Sequence, residues 1–416
     1  MPHAQAFGQD VSVRVIPKSL LLSGSAPGTG HVGEIILGDI VRRAGLDRFH
    51  CVAVASAKSC WCPDPSLSGL AVRGFTTDML RAKRWGGGKW GAAGSAIHYR
   101  TGFQAELSKL TQAIVAEAKA AQVGQVFAVL DNAMMFALAH RVADRLGVPL
   151  VSLVWDPPEY LLRQAGFDRW SRAGLLQEFQ RSLKASRYVA VVSETMQDAY
   201  ARYTDAPIGI LRHGLPMPDE TAASDSCVDL PQDEWLIGFA GTLYAPDAWK
   251  ALLKALDQAD WQVAGRPVRL RVMTSSIILA NRKPARIDYL GFRSTEEVQA
   301  LLAGCHASYM PQPFVAHLRD LCRYSFPTKL SNYLVLGRPV FLHAPPEGAL
   351  SAFFRSHPFG ASATSLEPEG ILQALEALLG NAEAYTAACA SASRVAREQF
   401  STPVFHAAVD ALLATA

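Results

Sequence analysis

The run Val148-Pro149-Leu150-Val151-Ser152-Leu153-Val154 is apolar almost without interruption. A strand with one wet face alternates polar and apolar residues. A continuous run instead fits a strand whose two faces are both covered by helices, as in a parallel sheet. Similar short runs recur: Leu20-Leu21-Leu22, Val52 to Ala55, Val126 to Leu130 and Tyr188 to Val192 read as strands. Phe103 to Ala121 and Ala133 to Leu146 carry helical spacing. The fold class is therefore α/β. A chain of 416 residues exceeds the size at which one core keeps growing, so two domains are expected. The first takes residues 1–216. A proline-containing, apolar-poor linker covers 217–234, a second unit covers 235–400, and residues 401–416 read as a final helix. The second unit opens with Leu236 to Ala240 as strand, a turn at Gly241 and Thr242, and a helix from Pro246 to Ala259. Val268 to Met273, Ile287 to Phe292 and Ala307 to Met310 follow as strands.

Half of the residues are hydrophobic, 19% are charged and the net charge is only +3. Anion recognition must then be local, and no surface suited to nucleic acid is implied. Seven cysteines, an odd number without regular spacing, suit a reducing compartment. Cys60-Trp61-Cys62 lacks partners at zinc spacing, so no metal site is assigned. No signal-peptide pattern and no apolar run of membrane-spanning length is present, which leads to the expectation of a cytoplasmic protein.

Four stretches carry candidate chemistry. From Ser325 to Gly348 the chain reads as a loop, a short helix opened by Pro327, a stop at Gly337 and a strand from Pro339 to His343. Leu330, Tyr333, Leu334 and Gly337 share a packing face; Ser325, Thr328, Lys329 and Asn332 share another. That second face lies at a helix start, where free N–H groups favour an anion, and a lysine with two hydroxyls there suits a diphosphate. An ordinary capped surface helix is the competing reading. Arg323, just upstream, has the guanidinium geometry for a phosphate. Near the N-terminus, Leu20 to Leu22 enters Gly24-Ser25-Ala26-Pro27-Gly28-Thr29-Gly30-His31-Val32-Gly33 and then a helix, the opening of a Rossmann-like unit. Gly30 and His31 are its candidate ligand contacts, with a structural role for His31 equally open. Arg81 to Arg100 combines five glycines with cations and with Trp85 and Trp90. It reads as a mobile loop that stacks on sugars, touches an anionic lipid carrier or meets a membrane surface, or as a flexible loop with its tryptophans turned inward. Finally, Asp156 and Glu159 follow the Val148–Val154 strand at its carboxyl end, where open α/β sheets bind ligands. They are candidates for gripping an acceptor hydroxyl or for acid–base work; capping the next helix is the alternative for Asp156.

Ser325-Phe326-Pro327-Thr328-Lys329-Leu330, followed in register by Gly337, Pro339 and Val340, resembles the donor-site segment of retaining GT-B glycosyltransferases, especially glycosyltransferase family 4. The strand ending Val192-Ser193 and the strand ending His213-Gly214 resemble that family's paired segments in the first domain. The family's two acids fall here on Tyr324 and Asn332. The resemblance implies a GT-B fold, two Rossmann-like domains facing an interdomain cleft, with the final helix crossing back to the first domain. It implies transfer of a sugar from a nucleotide-sugar to a hydroxyl of a glycan or lipid-linked acceptor, with retention, and with fixed cations in place of a metal. No cofactor is expected, and the nucleotide-sugar is a substrate. Donor contacts implied by the match are Gly241, Thr242, Lys250, Phe292, Arg293, Ser325, Thr328 and Asn332. Lys329, Arg323 and Asp156 would serve catalysis; Trp85, Trp90 and Glu159 would lie on the acceptor side. Peripheral contact at the inner face of the membrane is compatible with this. Two other classes stay open: a non-catalytic GT-B subunit partnering another glycosyltransferase, and a nucleotide-sugar epimerase.

Overall fold

The computed structural model describes residues 17–59, 61–82, 88–217, 230–276 and 282–414, without the side chains of 88–93, 95 and 98. The first sheet contains β1 (Ser19–Ser23), β2 (Phe49–Ala55), β3 (Ala71–Thr76), β4 (Gln125–Val129), β5 (Leu150–Val154), β6 (Ser186–Val191) and β7 (Ile208–Ile210). Their order is β3-β2-β1-β4-β5-β6-β7, and every pairing is parallel. β1, β4 and β5 are buried along their whole length, which accounts for their largely apolar character. Helices α1 (Val32–Ala44), α2 (Gly88–Ala120), α3 (Ala133–Leu146), α4 (Pro158–Gln164), α5 (Arg169–Ala185) and α6 (Glu194–Tyr200) complete the layers. Because the strand order reverses between β1 and β4, the connections leaving their carboxyl ends run to opposite sides and leave a crevice there.

The second sheet repeats this plan. β8 (Trp235–Ala240), β10 (Arg266–Met273), β11 (Ile287–Tyr289), β12 (Ala307–Pro311), β13 (Val340–His343) and β14 (Gly360–Ala363) stand in the order β11-β10-β8-β12-β13-β14, all parallel. A two-residue strand, β9 (Gln262–Val263), pairs antiparallel with β10. Its helices are α7 (Pro246–Gln258), α8 (Thr295–Ala303), α9 (Arg319–Tyr324), α10 (Lys329–Leu334), α11 (Ala349–Ser356), α12 (Pro368–Leu379) and α13 (Ala382–Phe400). The last helix, α14 (Thr402–Ala414), returns to the first domain: Phe405, Val409, Leu412 and Leu413 join the core under α1, and Asp410 pairs with Arg43. Leu215 and the Phe400–Thr402 junction exchange two backbone hydrogen bonds, 2.8 and 3.0 Å. The expected linker, 217–234, lies mostly outside the described residues.

One expected loop is helical. α2 begins at Gly88 and runs through Gly91 and Gly94 of the Arg81–Arg100 stretch. Each helical glycine costs up to about 1 kcal/mol relative to alanine. The cost is offset further along, where Phe103, Leu107, Leu110 and Ile114 are buried and Tyr99 meets the rings of Phe103 and Phe167 at 4.6 and 4.8 Å. Trp85 lies outside the described residues, as does the side chain of Trp90.

Candidate functional site

A cavity of about 410 Å³ is lined by both domains, among others by Gly33, Trp155, Asp156 and Arg212 of the first and by Tyr244, Gln312, Ser325 and Thr328 of the second. Asp156 arrives there because β5 ends at Val154 and Pro157-Pro158 turns the chain into α4. Pro157 is the N-cap of that helix, so Asp156 does not cap it. Its carboxylate instead accepts a 2.6 Å hydrogen bond from Ser325 Oγ across the domain boundary. Burial pushes the Asp156 carboxyl above the usual range, and the Ser325 bond only partly opposes this.

A second carboxylate, Asp131, stands at the end of the neighbouring strand β4. It accepts Gly24 N–H at 3.0 Å and Asn132 Nδ2–H at 2.8 Å. Burial, helped by the charge of Asp156, pushes it up to about 7 against the opposition of these bonds. Nothing in the local sequence marks Asp131. The available signal is lateral: β4 and β5 are parallel neighbours, so acids just past their ends meet at one rim.

Three N–H groups of the glycine-rich turn are already satisfied internally. Gly28 N–H donates to Glu34 O at 3.2 Å, Thr29 N–H to Cys62 O at 2.9 Å, and Gly30 N–H to the Glu34 carboxylate at 3.0 Å. Glu34, only 1% exposed, thus occupies part of the role an anionic ligand plays in dinucleotide-binding turns. Gly33 is required for another reason, since a Cβ there would come within 2.9 Å of the Trp155 ring at the cavity wall. Gly30 and His31 are both exposed, and His31 is the N-cap of α1 without a side-chain capping bond.

On the second domain, Gly241 and Thr242 form the turn after β8, and Lys329 reaches it from the start of α10. Lys329 Nζ donates to Thr242 O at 2.7 Å and lies 4.9 and 5.3 Å from the ring centres of Phe239 and Tyr244. No carboxylate pairs with it among the described residues. Burial pulls its pKa down to about 8. Gly241, at φ +86°, leaves room for the lysine stem, since a Cβ would sit 2.8 Å from Lys329 Cε. Beside the turn, buried Thr274 leaves its hydroxyl without a partner among the described residues. Leu330, Tyr333 and Leu334 are buried, as their spacing predicts. The helix itself starts two residues later than expected, at Lys329 and not Pro327: Thr328 is its N-cap, and Asn332 Nδ2 donates to Thr328 O at 3.2 Å.

The remaining candidates are dispersed. Arg323 is exposed above the Tyr324 ring at 5.5 Å, and its carbonyl accepts from Thr195 Oγ1 at 2.7 Å. Ser193 Oγ holds the Tyr324 carbonyl in the same way at 2.5 Å, so α9 is docked on the first domain. Lys250 is exposed on α7, and Phe292 is 82% exposed beyond β11, with Arg293 bonded to its carbonyl at 2.9 Å. Glu159 lines a separate cavity of about 280 Å³ with Arg163, Tyr200 and Tyr324.

Two cavity residues had no role in the sequence reading. Arg212 Nη2 pairs with Glu194 at 2.5 Å, and its guanidinium lies over Phe326 and Phe353 of the second domain at 4.1 and 4.7 Å. Burial lowers its pKa, and the Glu194 carboxylate opposes that shift. His213 Nε2 is 2.7 Å from Asp39 Oδ2. Among the described residues, no group of three or more His, Cys, Asp or Glu side chains is placed to hold a metal ion.

No family model matches the chain, and no curated protein does. Solved structures match over nearly its whole length. HepE of Anabaena, in complex with UDP and glucose, superposes with a TM-score of 0.60 at 14% identity, covering 96% of this chain and 100% of that one. The N-terminal domain of trehalose-6-phosphate phosphatase from Candida albicans gives 0.65 at 11%, covering 97% and 98%. The lipopolysaccharide outer core galactosyltransferase WaaB gives 0.61 at 9%, covering 95% and 98%. At such identities the likeness establishes architecture: the chain has the GT-B fold of glycosyltransferase structures, with two Rossmann-like domains facing an interdomain cleft.

Proposed function

We propose that this chain is a glycosyltransferase of the EC 2.4 class, moving a sugar from a nucleotide-sugar to a hydroxyl of a glycan or lipid-linked acceptor. The observation that carries this reading is Lys329: an ammonium without a carboxylate partner among the described residues, fixed at the Gly241–Thr242 turn beside the cleft. Keeping such a charge partly desolvated is costly unless an anion arrives to use it. HepE, which shares the fold, was solved with UDP and glucose.

In this reading the donor diphosphate lies against Lys329 and the Gly241–Thr242 backbone, with Ser325, Thr328 and Asn332 beside it and Phe292 and Arg293 toward the base. The ammonium stabilises charge on the departing nucleotide, the kind of preorganised electrostatic help that is often the largest catalytic contribution. It can also do the electrostatic work of a divalent cation, so the reaction is proposed to be metal-independent and, by the donor-segment resemblance, retaining. Asp156, with its raised pKa, is poised to accept a hydrogen bond or a proton from the attacking hydroxyl. Acceptor and protein meet in the cytoplasm at the inner face of a membrane.

A second reading rests on one observation. At the positions of the two family acids, Tyr324 stacks on Tyr200 with centroids 6.4 Å apart, and Asn332 bonds Thr328 O. Both sites serve internal packing, as they would in a non-catalytic subunit.

Incubating the protein with radiolabelled nucleotide-sugars and a membrane lipid extract from the source cells separates the classes. Label entering the lipid fraction, dependent on one donor, is the expected result. Free nucleotide with an altered sugar and no acceptor indicates an epimerase, and no turnover at all favours the non-catalytic subunit.

A further inference from the structure

Glu159 and Tyr324 each stand one residue before a cleft residue, Tyr160 and Ser325, yet both line the separate cavity of about 280 Å³. That cavity lies where α4, α5 and the turn after α6 meet α9 of the second domain. Its polar side chains are free. The Glu159 carboxylate, the Gln180 amide, the Arg202 guanidinium and the hydroxyls of Tyr203 and Tyr324 have no hydrogen-bond partner among the described residues. Tyr200, which also lines the cavity, is only 5% exposed, and its buried hydroxyl is unpaired as well. A buried hydroxyl normally has a partner, and one left without costs stability until a partner arrives.

Three aromatic rings accompany these groups. Tyr200 stacks on Tyr324 and tilts against Tyr203, with centroids 6.4 Å apart in both pairs. The Arg202 guanidinium lies over the Tyr203 ring at 4.7 Å. Tyr203 and Tyr324 are half-buried, so part of each ring is open. The charges balance: Glu159 and Arg202 are of opposite sign, and Arg163 is paired with Asp320 at 2.7 Å across the domain boundary. A phosphate or nucleotide would need a surplus of cations, and an apolar ligand would bury Glu159 unpaired.

We infer that this pocket is a saccharide site, holding one neutral sugar ring against the tyrosines, with its hydroxyls on Glu159, Gln180 and Arg202. A sugar ring offers an apolar C–H face and a rim of hydroxyls that both donate and accept. Tyrosine rings suit the face. Glu159 only accepts, Arg202 only donates, and Gln180 and the tyrosine hydroxyls do both, which matches the rim. The ring is either the distal sugar of an acceptor glycan or a free saccharide that bridges the two domains. The site does not depend on the transferase chemistry.

Saturation-transfer NMR on the full chain, without nucleotide, tests this with the methyl glycosides of glucose, galactose, mannose and N-acetylglucosamine and with disaccharides built from them. At least one glycoside should bind. Tyr203→Ala should weaken that binding about tenfold, the loss expected for one stacking or hydrogen-bonding group, and so should Glu159→Ala combined with Gln180→Ala. These three positions are half-buried, so melting curves like wild type are expected, and either variant suffices if the other fails to fold. Asp156→Asn, in the cleft, should leave monosaccharide binding unchanged. A disaccharide that binds more tightly than its parts, with the excess lost in Ser325→Ala, identifies the distal sugar of an acceptor; equal affinities identify a free saccharide. Binding of none of these sugars, undiminished binding by a folded pocket variant, or loss of monosaccharide binding in Asp156→Asn overturns the inference. Because turnover is not read, a protein that binds glycosides here yet transfers no sugar refutes only the proposed function.

Discussion

Lys329→Ala should lower kcat/KM about 100-fold and weaken nucleotide binding while leaving the protein folded. The ammonium makes one hydrogen bond, to Thr242 O, and two ring contacts, so its removal costs the fold little. Losing one preorganised donor at a developing anion typically costs two to three orders of magnitude in rate. The lysine also sets a pH dependence. Its pKa in the free protein is about 8, and only the ammonium holds a diphosphate. Below pH 8 the binding form is already present. Above it, binding must take up a proton, so affinity should fall by up to tenfold per pH unit until the bound-state pKa is reached. Nucleotide titrations at pH 7, 8 and 9 on wild type and the alanine variant measure this. A folded variant with normal kinetics, or wild-type affinity unchanged to pH 9, contradicts a diphosphate at Lys329.

Asp156→Asn should cost a further two to three orders of magnitude in turnover, with nucleotide binding retained. The amide keeps an acceptor for the Ser325 hydroxyl, so the bridge between domains survives. What disappears is the carboxylate that accepts the acceptor's proton, a contribution of about 10²–10⁴ in general-base catalysis. Burial raises the Asp156 pKa, so wild-type activity should climb with pH through a midpoint above the ordinary aspartate value, and the asparagine variant should lose that limb. A variant that keeps the wild-type rate and profile would remove Asp156 from the chemistry and leave it a structural role.

The sequence was most legible where one physical force acts alone. Strands β1, β4 and β5 are buried on both faces, so they are apolar except at Ser19, Ser23, Gln125 and Ser152. The packing face of α10 showed in the spacing of Leu330, Tyr333 and Leu334 for the same reason. Lys329 and the Gly241–Thr242 turn, 87 residues apart, meet because β8 ends where α10 begins, a placement the donor-segment resemblance implied. Features decided by lateral neighbours were not legible. Asp131 gains its environment from the order of β1, β4 and β5, which no local pattern encodes. The first-domain hydroxyls Thr195 and Ser193 hold the carbonyls of Arg323 and Tyr324 and fix α9 in a domain contact that no local pattern encodes. The glycine-rich turn resembled a ligand cradle, and the N–H groups of Gly28, Thr29 and Gly30 find their partners within the chain, in Glu34 and Cys62. In α2, tertiary burial overrode glycine's poor helix propensity.

The central claim is that this cleft binds a nucleotide diphosphate. Its most direct test is thermal unfolding of the wild-type protein with UDP, GDP, ADP or CMP and their common sugar conjugates, with and without a divalent metal. A ligand that binds only the folded state at about 100 times its Kd stabilises it by roughly 2.7 kcal/mol, enough to move the midpoint by several degrees. The account predicts such a shift for one nucleotide class, independent of metal and absent in Lys329→Ala. A midpoint unmoved by every nucleotide would contradict it.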